Sequence, residues 1–202
     1  MELPPETARA LDLVGEHCDL EARLPLIPPS AQLRGVWFRL LERQLGQRGL
    51  LDRYREMFPG PSPSSLAFHP VAQFLPRAAV AGALVAGPER LHEGLFTLTR
   101  DNSAGFANTL FARTLLKFLA NDPRKLTEQA VASRRQTTTY GSWELTDSGD
   151  DFIEVRLREE YVWIESYMRG AAHGSYVRFG ETVQSEATLD DRFHGVIRVW
   201  WS

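Results

Sequence analysis

The feature that most constrains this fold is a change of periodicity near residue 134. Before it, apolar residues recur at the spacing of amphipathic helices. After it, short alternating stretches typical of half-buried strands flank one helical stretch. We therefore predict an α+β chain, with a mainly helical part over residues 1–133 and a ββαββ unit over residues 134–202. The four strands of that unit should form a mainly antiparallel sheet. At 202 residues, one domain spanning 1–202 is the simplest expectation.

Four local signals place three of the predicted helices. Ser30 follows two prolines and is a typical N-cap, and Asp122–Pro123 is a second typical start. The helix from Ser30 has a stripe of apolar residues on one face: Leu33, Val36, Trp37, Leu40, Leu41 and Leu45. A second stripe predicts another amphipathic helix from Phe106 to Leu119, and the helix that begins at Asp122–Pro123 should end near Ser133.

The strands are predicted from β-branched and aromatic residues. Thr137–Tyr140 favours a pleated conformation, and we predict that the first strand runs from there to Leu145. A turn at 147–150 should join it to a second strand in a hairpin. The remaining elements are predicted as a second strand over 152–157, a helix over 164–179, a third strand over 182–189 and a fourth over 194–201.

Composition argues against several classes of protein. A net charge of -3 argues against non-specific binding to nucleic acid or to an anionic membrane, because both need a strongly basic surface. The single cysteine, Cys18, cannot form an intramolecular disulfide. The start of the chain lacks the basic and apolar pattern of a signal peptide, and the apolar stretch Val71–Ala86 is interrupted and too short to span a bilayer. We expect a cytoplasmic protein.

Catalytic and metal-binding patterns are missing from the sequence. There is no nucleophile elbow, no phosphate-binding glycine loop, and no pair of histidines at metal-ligand spacing. The carboxylate pairs Asp150–Asp151, Glu159–Glu160 and Asp190–Asp191 fall at turns or strand ends, where solvated side chains are the usual case. We expect no enzyme activity, no metal and no cofactor.

A ligand site is the positive alternative. Arg134 and Arg135 lie at the helix-to-strand junction, where two guanidinium groups could hold an anionic group of a ligand. Equally, they could cap the carbonyl groups at the end of the preceding helix. Tyr140, Trp163 and Tyr167 complete the candidate ligand-binding set, at a junction between helix and sheet.

The inserted helix carries two further expectations. Tyr167 and Tyr176 are nine residues apart, about half a turn out of phase on a regular helix, so one should be buried and the other exposed. Gly170 and Gly174 share a face and would permit close approach of another element. The alternative to a ligand cavity beside this helix is plain close packing.

Four stretches resemble an uncharacterised paralogous family first noticed in a myxobacterial genome: Ile27–Phe38, Gly105–Leu119, Arg135–Gly141 and Tyr167–Gly180. The resemblance covers roughly residues 20–202, and it implies no known activity or catalytic residue. The order of elements is also similar to a wider fold group. That group contains haem nitric-oxide-binding domains, four-vinyl-reductase domains, aromatic-sensing regulator domains and subunits of the vesicle-tethering TRAPP complex.

This architectural resemblance implies a sensor, adaptor or scaffold, often one that forms a homodimer. His92 would be a possible haem ligand, but the Tyr-x-Ser-x-Arg motif of the haem domains is absent, so we take His92 as an exposed helix residue. Our leading hypothesis is a non-catalytic, homodimeric interaction or sensing module with a protein partner. The alternative is a receptor for an apolar or anionic small molecule, bound between helix and sheet. An enzyme of unrecognised chemistry and a regulator of a small GTPase stay open.

Overall fold

The computed structural model describes residues 4–107 and 122–202, with side chains for residues 4–104 and 122–202. The chain forms two compact units, Met1–Leu98 and Thr99–Ser202. In the described residues it combines helices with two antiparallel sheets, one of them four-stranded, which confirms the predicted mixture of helices and a four-stranded sheet. The helix predicted over Phe106–Leu119 lies, beyond Ala107, outside the described residues.

The N-terminal unit is mainly helical. Its elements are α1 (Pro5–Val14), α2 (Leu20–Arg23), β1 (Gln32–Arg34), α3 (Val36–Gln47), α4 (Leu51–Met57), β2 (Phe68–Pro70), α5 (Val71–Ala86) and the first turns of α6 (Leu91–Ala107), with 3₁₀ turns at Leu24–Leu26 and Pro88–Arg90. α5 is the most buried of these helices and contacts α1 and α3. Its Phe74 packs edge-on against Phe38 of α3, with ring centroids 5.2 Å apart.

The start of α3 differs from the prediction. Ser30 does not cap a helix, because Gln32–Arg34 pairs with Phe68–Pro70 as a short antiparallel ribbon and the helix begins only at Val36. Leu33, expected on the helical stripe, is fully buried in β1. This pairing joins segments far apart in the chain, so local sequence patterns do not reveal it.

The C-terminal unit carries the four-stranded sheet. Its elements are the last turns of α6, α7 (Pro123–Thr137), β3 (Ser142–Ser148), β4 (Phe152–Arg158), a π-helical turn (Ile164–Met168), α8 (Arg169–Tyr176), β5 (Val183–Leu189) and β6 (Gly195–Trp201). The strand order is β3-β4-β6-β5, and every neighbouring pair is antiparallel. The sheet face that packs against α7 and α8 buries alternate side chains: Ile153, Leu157, Ile197, Val199 and Trp201.

The start of α7 is confirmed and its end is not where the sequence placed it. Asp122 caps the helix by accepting a hydrogen bond from the backbone N–H of Lys125 at 3.0 Å. The helix continues past Ser133 to Thr137, so the threonine run does not open a strand. The hydroxyls of Thr137 and Thr138 both donate to the carbonyl of Arg134, and this local bonding stabilises a helix end.

The expectation that Tyr167 and Tyr176 face opposite environments is wrong, since both are buried. Two features explain the error. The π-helical turn at Ile164–Met168 changes the angular step between residues. α8 is also enclosed on two sides, by the sheet and by the end of α6.

The contact with α6 confirms the predicted close approach at Gly174. A Cβ atom added there would lie 2.1 Å from the backbone oxygen of Arg100. No side chain larger than hydrogen fits at that distance without a backbone shift.

No single helix in the described residues is long and apolar enough to cross a membrane. α5 and α6 reach the required length and composition only in combination, and the chain bends sharply between them.

Candidate ligand-binding cavity

A cavity of about 170 Å³ lies in the C-terminal unit between α7, α8 and the covered face of the sheet. Small residues leave this space open: Ala130 on α7 and Ala171, Ala172 and Ser175 on α8. Its floor is formed by branched apolar side chains of β4 and β6. Among the described residues, every side chain that lines it is uncharged. The cavity therefore suits an apolar molecule.

Two of the polar side chains in the lining are paired with each other. The Thr127 hydroxyl on α7 is within hydrogen-bond distance of the Tyr176 hydroxyl on α8. The Tyr176 ring stacks on Trp201, with centroids 5.5 Å apart and planes 8° from parallel. Burial raises the pKa of Tyr176 to about 12. The tyrosine is thus a fixed, neutral phenol at physiological pH.

Behind the cavity wall lies a buried ion pair. Arg134 Nη2 donates to Glu160 Oε2 at 2.6 Å, and the two side chains are 3% and 0% exposed. Tyr140 donates its hydroxyl to Glu160 Oε1 at 3.2 Å, and Trp143 donates its indole N–H to Oε2 at 3.0 Å. The backbone N–H of Val162 completes the set at 3.3 Å. Glu160 therefore accepts four hydrogen bonds, as a buried carboxylate requires.

The guanidinium group is held between two aromatic rings. Its central carbon lies 4.8 Å from the Tyr140 ring centroid and 4.5 Å from the Trp143 ring centroid. Nε and Nη1 are buried without a hydrogen-bond partner among the described residues, so the π faces provide their favourable contacts. Burial, followed by the charge of Glu160, raises the pKa of Tyr140 well above its usual value.

The structure brings together only part of the residue set that the sequence suggested. Arg134 and Tyr140 meet at Glu160, whereas Arg135 is exposed. Trp163 and Tyr167 are buried in the same unit but do not line the cavity. The capping alternative does not describe Arg134 either, because two threonine hydroxyls bond the helix end.

Sequence reasoning missed four residues. Glu160, expected to be solvated in a turn, is fully buried, and the cavity residues Thr127, Trp143 and Tyr176 were not grouped. One signal was present for Glu160. It directly precedes an uninterrupted run of large apolar residues, 161–164, and an acidic residue that is buried beside such a run must be paired there.

Two other concavities lie in the N-terminal unit, with volumes of about 400 and 420 Å³. Charged side chains line both. In the larger one, Arg77 Nη2 bonds Glu6 Oε2 at 2.8 Å, and its guanidinium lies 4.7 Å from the Phe58 ring centroid. Internal contacts thus occupy the charged groups of that concavity. In the described residues, no group of three histidine, cysteine or acidic side chains could hold a metal ion.

Solved structures with a similar fold are H-NOX proteins. The Fe(II) unliganded H-NOX protein from K. algicida has a TM-score of 0.58 at 8% identity, over 84% of this chain and 97% of that chain. The S. oneidensis H-NOX protein in the Fe(II)NO ligation state has a TM-score of 0.54 at 10% identity, over 84% and 99%. A structure from a study of haem distortion in the H-NOX family has a TM-score of 0.55 at 15% identity, over 84% and 95%. These identities establish a shared fold alone.

The cavity does not fit a haem group. A dry cavity of about 150 Å³ accommodates one benzene ring, and a porphyrin with four pyrrole rings is far larger. The histidine on α8, His173, points its Nδ1 to Ser185 Oγ at 3.1 Å and does not line the cavity. His92, half-buried rather than exposed, does not line it either. Without charged lining residues in the described chain, nothing there would hold the propionates.

No curated protein matches the chain. Residues 27–201 match the family described as "Protein of unknown function (DUF2378)", and the chain belongs to that family.

Proposed function

We propose that this member of the DUF2378 family is a small-molecule-sensing domain whose C-terminal unit binds a compact apolar ligand. The observation that carries the proposal is the apolar cavity of about 170 Å³ between two helices and the sheet. A cavity of about 150 Å³ lined by aliphatic and aromatic groups binds benzene in another protein, so the size suits a single ring. The H-NOX-like fold supports a sensing role.

From the sequence alone, an interaction module is the leading hypothesis and a receptor is the alternative. The receptor now leads, because the cavity is a physical feature that the adaptor hypothesis does not need. A homodimer and a protein partner remain part of the proposal as the means by which ligand occupancy reaches other proteins. We propose no catalytic step, because the lining side chains are apolar or already hydrogen-bonded.

Toluene binding tests the proposal. At 100 times its dissociation constant, a ligand of the folded state adds about 2.7 kcal/mol to the free energy of unfolding. For a chain of this size, we expect the melting temperature to rise by about 5–10 °C. Titration calorimetry would give the dissociation constant independently of the thermal shift.

Two matched variants show where the toluene binds. Ala172→Leu adds three carbons to the cavity wall and should abolish binding without unfolding the protein. Ala132→Leu makes the same change on the exposed side of α7 and should leave binding unchanged. Absence of toluene binding, or equal binding by both variants, would refute the cavity as the ligand site.

A further inference from the structure

The hydrogen-bonding groups in the cavity lining have a common property. Each polar hydrogen is already donated within the protein. The Thr127 hydroxyl donates to the carbonyl oxygen of Pro123 at 2.8 Å, and a carbonyl can only accept. Thr127 has one hydrogen, so in its contact with Tyr176 the tyrosine is the donor.

The other two polar lining residues follow the same rule. Ser175 donates its hydroxyl hydrogen to the carbonyl oxygen of Ala171 at 2.8 Å. Trp143 donates its only polar hydrogen to Glu160, on the side away from the cavity. What remains available to a ligand is a set of oxygen lone pairs, on Thr127, Ser175 and Tyr176.

The Tyr176 oxygen is held most firmly of the three. Its ring contacts two aromatic neighbours. The ring centroid of the stacked Trp201 is 5.5 Å away, and that of Phe179 is 5.8 Å away. Its hydrogen is directed to Thr127 on the facing helix, so the hydroxyl can only accept a hydrogen bond from a ligand unless that bond breaks. A ligand that covers this oxygen without donating a hydrogen bond to it would leave a buried acceptor unsatisfied, and this costs binding free energy.

We infer that the cavity selects a neutral single-ring ligand that carries a hydrogen-bond donor, and rejects anions and ligands that can only accept. This inference rests on the proposed function, since it names the class of molecule for the same cavity. A phenol-type hydroxyl or an aromatic amine meets the requirement. A carboxylate would face acceptor oxygens and aliphatic groups, and none of the described residues that line the cavity carries a positive charge to hold it.

Three single-ring probes test binding in the cavity separately from selection for a hydrogen-bond donor: toluene, phenol and anisole. Toluene tests the cavity alone. Phenol can donate, whereas anisole, its methyl ether, can only accept. We expect phenol to bind about tenfold more tightly than anisole, the magnitude of one net hydrogen bond.

Thr127→Val is the decisive variant. It keeps the shape of the side chain but removes the acceptor of the Tyr176 hydrogen, which then faces the cavity as a donor. The phenol-to-anisole preference should fall by about tenfold or reverse. Thr137→Val, which removes a similar hydroxyl-to-carbonyl bond on α7 outside the cavity, should keep the wild-type preference.

The outcomes are distinguishable. If none of the probes binds, the proposed function fails and the inference with it. If toluene binds but Thr127→Val keeps the wild-type ratio of phenol to anisole, only the inference fails. Should Thr127→Val fold poorly, Thr127→Ala removes the same hydroxyl and carries the same expectation.

Discussion

The Glu160→Gln variant should have a free energy of unfolding about 3–5 kcal/mol below that of the parent protein. The amide keeps the shape of the side chain and can still accept a hydrogen bond through its single oxygen, from Tyr140 at the Oε1 position or from Trp143 at the Oε2 position. The substitution removes the negative charge, however. Arg134, whose side chain is 3% exposed, is then a buried cation without a counter-charge. Denaturant unfolding followed by circular dichroism measures the difference.

Two further variants isolate the buried charge as the cause. Glu128→Gln breaks the exposed pair with Arg124 on the same helix, whose side chains are more than half exposed, and should cost less than about 1 kcal/mol. The double variant Arg134→Met/Glu160→Leu removes both charges and should recover much of the lost stability. A Glu160→Gln protein as stable as Glu128→Gln would show that the pair is not buried as described.

The second large effect is expected at Gly174. On an open helix surface, glycine to alanine is stabilising by about 1 kcal/mol. At Gly174 the added methyl group would lie 2.1 Å from the backbone oxygen of Arg100, so α8 and α6 must separate. We expect Gly174→Ala to destabilise the protein by about 1–3 kcal/mol, measured as a lower melting temperature.

Gly46→Ala is the matched control, because it makes the same change on an exposed face of α3. The nearest atom to its added methyl group is 3.8 Å away, an ordinary van der Waals contact. This variant should be as stable as the parent protein or slightly more so. If both substitutions raised the melting temperature, the close contact between α8 and α6 would be disproved.

Much of the C-terminal unit could be predicted from local patterns. β4 alternates apolar and charged residues from Ile153 to Arg158 because one face of the sheet is covered and the other is not, so its sequence carries the pattern directly. Asp122–Pro123 likewise marks its helix start through chemistry confined to a few neighbouring residues. Both signals depend only on neighbouring residues, and the structure contains the strand and the helix start that they predict.

The errors arose where hydrogen-bond partners, distant or local, override the preference of the residue type. Gln32–Arg34 became a strand because Phe68–Pro70 pairs with it, and a helical stripe of leucines cannot reveal that partner. Thr137 stayed helical because its hydroxyl bonds the preceding turn, although its residue type favours strands.

The candidate site was the hardest part to predict. A cavity is a volume that side chains fail to fill, and Ala171, Ala172 and Ser175 create it only because α8 lies opposite α7 over the sheet. The sequence predicted a ligand site at a helix–sheet junction, and that site stays a prediction. The sequence could not show that Arg134 finds a carboxylate within the protein, 26 positions later in the chain.

The Arg134–Glu160 pair also restricts how sequences of this kind can diverge. A lineage that loses one of the two charges first produces a protein near the limit of folding, and most such proteins are removed by selection. The two positions should therefore change together or not at all. Relatives that lack the arginine are expected to lack the glutamate and to have an apolar residue at both positions. In those relatives, selection no longer maintains the indole and phenol groups that surround the pair.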